Sequence, residues 1–346
     1  MKSLKMNPSN IIIRMPNWIG DAVMATPILA DVREKWPNAR LTVMCQKSIG
    51  DILIHDPHVN EFFIFHKPSG WLHRQEYRDI LSPLRIGEYD LGILLTNSFS
   101  SAWWFWRGKV KNRVGFATNC RSFLLNYPVP YPENKETQHL VYTYKELLKP
   151  LGITETKTSP QLYVTSEEKK EAEDLLSKFR ITPSDRVIGI NPGAAYGSAK
   201  CWPPDRFKEV TLKLLDDPLN HILFFGDRFG SPVVDDICRG MPDRVINLSG
   251  RTTLRELVAL ISLCTFFLTN DSGPMHIASA LGIPLLAIFG STSEVKTGPF
   301  NQGEVIHKHV SCSPCYKRVC PIDFRCMNSI TAEEVYEKIC QRLEKQ

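Results

Sequence analysis

Short apolar runs alternate with stretches of helical spacing along this chain, and the alternation happens twice. Asn10–Met15 is a β-branched run, and Gly20–Trp36 after it carries Val23, Ile28, Val32 and Trp36 near helical spacing. Arg40–Cys45, Phe62–Phe65 and Asp90–Leu95 repeat the apolar run. A strand–helix–strand rhythm of this kind predicts a parallel sheet with helices on both faces. Tyr127–Glu133 holds three prolines and reads as an extended crossing. Gln138–Leu151 reads as a helix stopped by Gly152, and Ile153–Thr165 as a Thr-, Ser- and Pro-rich linker. The rhythm then restarts with a helix over Ser166–Phe179. Strands follow at Arg186–Asn191, His221–Phe225, Val245–Leu248, Thr265–Thr269 and Pro284–Phe289, with helices at Leu254–Leu263, Gly273–Leu281 and Thr331–Leu343. The expected fold is α/β, two Rossmann-like domains over 1–160 and 161–346, facing each other across a cleft. In such sheets ligands bind beyond the carboxyl ends of the strands.

Composition narrows the classes. A chain of 346 residues is natural for two domains. Its 43% apolar and 23% charged residues exclude global disorder. Lys and Arg number 42 against 37 acids, an excess too small to require nucleic acid as a partner. Leu257–Leu268, the longest apolar run, is interrupted by Ser262 and Thr265 and is too short to span a membrane. Lys2 and Lys5 precede only Ile11–Ile13, too short for a signal-peptide core, so the expectation is a cytoplasmic protein.

Three strand-end segments carry polar chemistry. In Arg14-Met-Pro-Asn-Trp-Ile-Gly-Asp21, Asp21 opens a helix, where a carboxylate favours the positive helix end. At such a place it also suits a general base for a substrate hydroxyl. Asn191-Pro-Gly-Ala-Ala-Tyr-Gly-Ser-Ala-Lys-Cys-Trp-Pro203 combines flexible backbone with Lys200, either a surface turn or a diphosphate cradle. It lacks the Gly-Lys-Ser/Thr triplet of a Walker A loop. In Thr269-Asn-Asp-Ser-Gly-Pro-Met-His276, Ser272 and Gly273 open a helix whose free N–H groups make an anion site. Asp271 is placed to grip sugar hydroxyls, and His276 lies one turn on, either packing or facing the anion.

Together these segments resemble the ADP-heptose-dependent heptosyltransferases of lipopolysaccharide core assembly, over nearly the whole chain and in the forms of the type II branch. Ser249-Gly-Arg-Thr-Thr-Leu254 resembles the short loop before the family's donor-site helix. The resemblance implies a GT-B architecture with the acceptor on the first domain and the nucleotide sugar on the second. It also implies an inverting, metal-independent transfer with ADP-heptose as donor substrate and no cofactor. On that reading Asp21 and Lys200 are catalytic. The donor is held by Ala195, Tyr196, Lys200, Thr252, Asp271, Ser272, Gly273 and His276.

The family's acceptor is a heptosylated, Kdo-bearing lipid A, which is anionic. Arg107, Lys109, Lys111, Arg113 and Arg121 lie in a stretch without an acid, either a solvated face or the acceptor's cationic grip. Trp103, Trp104, Phe105 and Trp106 before them are either core or a patch for peripheral contact with the inner membrane. Cys312-x2-Cys315-x4-Cys320-x5-Cys326 suits zinc or an iron–sulfur cluster by chemistry, but its spacing matches no standard double Cys-x-x-Cys site. A reduced cysteine-rich loop is the expectation, with no metal assigned. The rival enzyme is a sugar-nucleotide epimerase of the same plan, or a transferase with type I acceptor use. A non-catalytic sugar-binding module is disfavoured by Asp21, Lys200 and Asp271 occurring together.

Overall fold

The computed structural model describes residues 6–68, 74–134, 136–154 and 156–344, so Lys2 and Lys5 lie outside the described residues. The chain divides into two compact units, 1–162 and 163–346. The first contains β1 (Asn10–Arg14), β2 (Arg40–Cys45), β3 (Glu61–Ile64), β4 (Leu91–Leu94), β5 (Asn112–Phe116) and β6 (Tyr127–Val129). They form one parallel sheet in the order β3-β2-β1-β4-β5-β6. The second contains β7 (Arg186–Asn191), β8 (Asn220–Phe224), β9 (Val245–Asn247), β10 (Phe266–Asn270), β11 (Leu285–Phe289) and β12 (Glu304–His307). Its order, β12-β11-β10-β7-β8-β9, repeats the same winding. Both sheets therefore reverse direction between their first and fourth strands, the place where doubly wound sheets open a crevice.

The central strands are apolar on both faces because helices cover both. Ile11, Ile12 and Ile13 are fully buried, as are Phe266, Phe267 and Leu268. The helix over Ser166–Lys178 starts on a capping box made by Thr165 and Glu168. Thr165 accepts from the Glu168 N–H at 3.2 Å, and Glu168 accepts from the Thr165 N–H at 3.0 Å. The same Glu168 carboxylate receives the Arg255 guanidinium on both oxygens, at 2.7 and 2.6 Å, tying this helix to the next one along the face.

The expected linker is pinned over part of its length. Thr156 and Thr158 donate to the two oxygens of the buried Asp31, at 2.8 and 2.6 Å, and Lys145 holds the Thr158 carbonyl at 2.6 Å. Residues 156–158 are thus part of the first unit's hydrogen-bonded surface.

The basic stretch is partly taken up by the fold. It contains β5, hidden because Asn112 and Arg113 open the strand and Gly115 interrupts its apolar run. Arg107, Lys109 and Lys111 precede β5, at the amino edge of the parallel sheet, away from the edge where ligands bind. Lys111 is paired with Asp90 at 2.9 Å. Arg113 spends its guanidinium on the carbonyls of Leu124 and Val110, both at 2.6 Å. Arg121 is 0% exposed and donates to the carbonyls of Phe116, Thr96 and Ser98, joining the turns after β4 and β5. The aromatic run splits as well: Trp104 and Phe105 are buried, Trp103 packs edge-on against Tyr77, and Trp106 is 47% exposed. Arg121 is thus taken up inside the fold and Lys111 and Arg113 are engaged by it, while Trp106, Arg107 and Lys109 stay exposed.

Arg121→Met removes the buried donor that joins the carbonyls of Phe116, Thr96 and Ser98. It should cost about 2–4 kcal/mol in urea denaturation, whereas Lys109→Ala, on an exposed turn, should change stability by less than about 0.5 kcal/mol. Equal effects of the two substitutions would restore Arg121 to the surface.

Candidate active site

The second unit's site is built from the loops after β7 and β10, on either side of the reversal in strand order. Asn270, 0% exposed at the end of β10, holds both. Its amide donates to the Pro192 carbonyl at 2.7 Å and its oxygen accepts from the Trp202 N–H at 3.1 Å. Asn191, ending β7, donates to the Gly193 carbonyl at 2.9 Å and to the Ser272 hydroxyl at 3.2 Å. Trp202 is itself locked, donating through Nε1 to the Ile330 carbonyl at 3.0 Å and packing edge-on against Phe207. Residues 192–201 therefore form a loop fixed at both ends, with Lys200 in its final turn.

Lys200 does not point freely at solvent. Its ammonium lies 2.5 Å from Asp271 Oδ2 and 4.9 Å from the centre of the Tyr196 ring. The two charged side chains are 13% and 4% exposed, and Thr292 donates to the same Asp271 oxygen at 2.6 Å. Asp271 thus holds a lysine, a role that spacing alone did not reveal. Ser272 is the N-cap residue of the helix Gly273–Ala280, but its hydroxyl makes no capping bond. It is shared with Thr269 at 3.0 Å and Asn191. The first-turn N–H groups are left without a side-chain cap from Ser272, beside the lysine, an arrangement suited to an anion. His276 is buried within that helix. Thr252 is half-buried just before Thr253, which caps the helix Leu254–Ser262 with Glu256. Ala195 is exposed in the fixed loop, and the Tyr196 hydroxyl donates to the Tyr316 carbonyl at 2.7 Å.

In the first unit Asp21 is the third residue of the helix Ile19–Met24, after the end of β1. It is half-buried, and its charge reaches the hydroxyls of Tyr131 and Tyr144, both of whose pKa values are raised, by burial first and by Asp21 among the lesser causes. The segment leading to it is organised by Arg14. That guanidinium is buried at the end of β1, over the face of Phe65 at 4.4 Å. It bonds the Met15 carbonyl and the Asn17 side chain, the latter at 2.7 Å. Burial lowers its pKa to about 10, and the charge of Cys45 offsets part of the fall. Sequence reasoning missed a concave opening at the same edge, about 480 Å³, lined by Gln46, Lys47, Ser48, Phe65, His66 and Lys67. Its elements, the carboxyl ends of β2 and β3, were legible, but the two cations are separated by the helix between them.

Both sheets thus present a polar site at the reversal of strand order, one with a carboxylate and one with an ammonium beside a helix N-terminus. A scan for families matches residues 78–324 to glycosyltransferase family 9 (heptosyltransferase). The chain belongs to that family. It is accordingly a glycosyltransferase, and its two Rossmann-like units are those of the GT-B fold. Lipooligosaccharide heptosyltransferase 2 of Campylobacter jejuni is 29% identical over 337 residues, 95% of this chain and 98% of the relative. The solved ADP-heptose LPS heptosyltransferase II of Escherichia coli superposes with a TM-score of 0.81 at 27% identity, covering 97% and 99% of the two chains. The UDP-GlcNAc 2-epimerase of Methanocaldococcus jannaschii also covers 97% and 99%, but with a TM-score of 0.51 at 12% identity, a likeness of fold alone.

Asp271→Ala leaves the Lys200 ammonium buried without its counter-charge. It should destabilise the protein by about 3–5 kcal/mol, and the double variant with Lys200→Ala should lose clearly less than the sum of the two single losses. Strict additivity in denaturant melts would break the pair.

Proposed function

We propose that the protein transfers heptose from ADP-heptose, with inversion, to a heptose-bearing inner core of lipopolysaccharide. The observation that carries this reading is the division of labour between the two reversal points. Asp21 takes the proton of the acceptor hydroxyl as its oxygen bonds to the sugar's anomeric carbon. The bond from that carbon to the diphosphate breaks, and ADP leaves with the electron pair. Lys200 and the N-terminus of the helix Gly273–Ala280 stabilise the charge that develops there. Ala195, Tyr196 and Thr252 are assigned as donor contacts, and the donor is a substrate rather than a resident cofactor. The relatives named for heptose transfer to lipopolysaccharide support the substrate pair.

The acceptor's acidic groups are assigned in this reading to the opening that contains Lys47, His66 and Lys67, in place of the stretch from Arg107 to Arg121. Among the described residues no helix is long and apolar enough to cross a membrane. A lipid-anchored acceptor is therefore met at the surface of the inner membrane. The exposed Trp18, Phe99 and Phe123, which follow β1, β4 and β5, supply apolar contact on the edge that carries Asp21.

Asp21→Asn should lower turnover by about 10²–10⁴ in a transfer assay while ADP-heptose affinity by calorimetry stays within about twofold. Near-normal turnover would remove Asp21 as the base. In the same assay Lys47→Ala with Lys67→Ala should raise the acceptor KM severalfold. Trp18→Ala with Phe123→Ala should impair the lipid-linked acceptor and spare its deacylated form. Sugar conversion from ADP-heptose alone, without acceptor, would favour the epimerase.

A further inference from the structure

Residues 308–324 form a 17-residue excursion after β12 with neither helix nor strand. Loops of that length without secondary structure need something to hold them. Apolar packing holds only its ends, at Val310 and Phe324, while Tyr316, Val319 and Ile322 between them are exposed. Instead the excursion and the short helix after it bring Cys312, Cys315, Cys320 and Cys326 to the wall of one pocket. None of the four is in a disulfide. Cys326 is buried, and Gly290 makes room for it: a Cβ at Gly290 would stand 3.0 Å from its sulfur.

The charges around the pocket fit an anionic centre. Four thiolates on a divalent ion carry a net charge of about −2. Lys317 and Arg325 line the same pocket, Arg325 also pairing with Asp323 at 2.9 Å. The sulfurs ring the cavity rather than meet. Among the described residues, Glu294, His307 and His309 form the one trio of metal-ligand atoms within 4.8 Å of one another. A single zinc ion at about 2.3 Å would draw the sulfurs to about 3.8 Å apart, whereas an iron–sulfur cluster accepts a wider ring.

The loop also touches the donor site. The residues between Cys315 and Cys320 support the Lys200 turn: Tyr316 O receives the Tyr196 hydroxyl, and Arg318 O receives the Ala199 N–H at 3.0 Å. The Arg318 guanidinium lies 5.3 Å from the Tyr196 ring centre. Gly197, at φ +154°, lets the backbones pass, since a Cβ there would meet Arg318 O at 2.3 Å. Ser291 O anchors the other side, accepting from the N–H groups of Cys315 and Tyr316 at 3.1 and 2.7 Å.

We infer that Cys312, Cys315, Cys320 and Cys326 bind a soft metal centre as four thiolates, and that this centre fixes the loop that positions Lys200. The second half rests on the donor-site reading above; the first does not. The test is elemental analysis, acid-labile sulfide and optical absorption on the full chain, purified without oxygen from cells supplied with iron and zinc. The result expected is about one centre per chain. Zinc without colour indicates a single ion, iron with visible absorption a ferric site, and iron with sulfide a cluster; each supports the inference. Cys312→Ser and Cys326→Ser should lose most of the metal, and Cys120→Ser, in the other unit, should keep it. Cys312→Ser replaces an exposed side chain, so its fold should persist by circular dichroism, while its ADP dissociation constant rises about threefold to tenfold. A folded wild-type chain with no metal, or metal unchanged in both cysteine variants, overturns the centre. Metal loss with ADP affinity unchanged overturns its positioning role, and leaves the transfer reaction to be judged by its own assay.

Discussion

The side-chain amide of Asn270 carries the organisation of the second unit. Parallel strands end in loops that share no ladder, so nothing in the sheet itself fixes one loop against the next. Asn270 supplies that missing bond twice, to the Pro192 carbonyl and from the Trp202 N–H, at full burial. A buried amide with both ends satisfied is stiff, because losing either partner leaves a polar group without water. Lys200 lies between the two fixed ends and inherits their rigidity.

The two charged centres are held by opposite means. Lys200 is buried against a carboxylate, so its charge is balanced and its position is set by Asp271 and Thr292. On the proposed reading, an incoming diphosphate would compete with Asp271 for the same ammonium and so tie donor binding to a rearrangement of that pair. Asp21 has only moderate burial and sits in the first turn of its helix, where a negative charge is favoured. Arg14 acts behind it through Asn17 and the Met15 carbonyl.

Much of this was legible in the sequence, because the strands that build the reversal points are continuous apolar runs. Asn10–Met15, Arg40–Cys45 and Arg186–Asn191 read as strands within a residue of their observed ends. The three polar segments were visible for the same reason: each directly follows such a run. What failed was the sense of direction within a side chain's surroundings. Arg113 and Arg121 look like surface charge in a string of letters, yet they satisfy carbonyls that no local pattern reveals. β5 escaped because an arginine and a glycine break its alternation, and β6 because Pro128 suits only an edge strand. The Lys200–Asp271 pair spans two segments 71 residues apart and exists only once the sheet has brought β7 beside β10.

The central claim is that Lys200 is the charge that receives the donor's diphosphate. Isothermal calorimetry with ADP and AMP, on the wild type and on Lys200→Ala, addresses it most directly. A lysine that reaches the terminal phosphate gives the wild type a preference for ADP over AMP of about tenfold to a hundredfold, and Lys200→Ala should remove most of it while AMP binding changes little. A preference of unchanged size in Lys200→Ala would contradict the account.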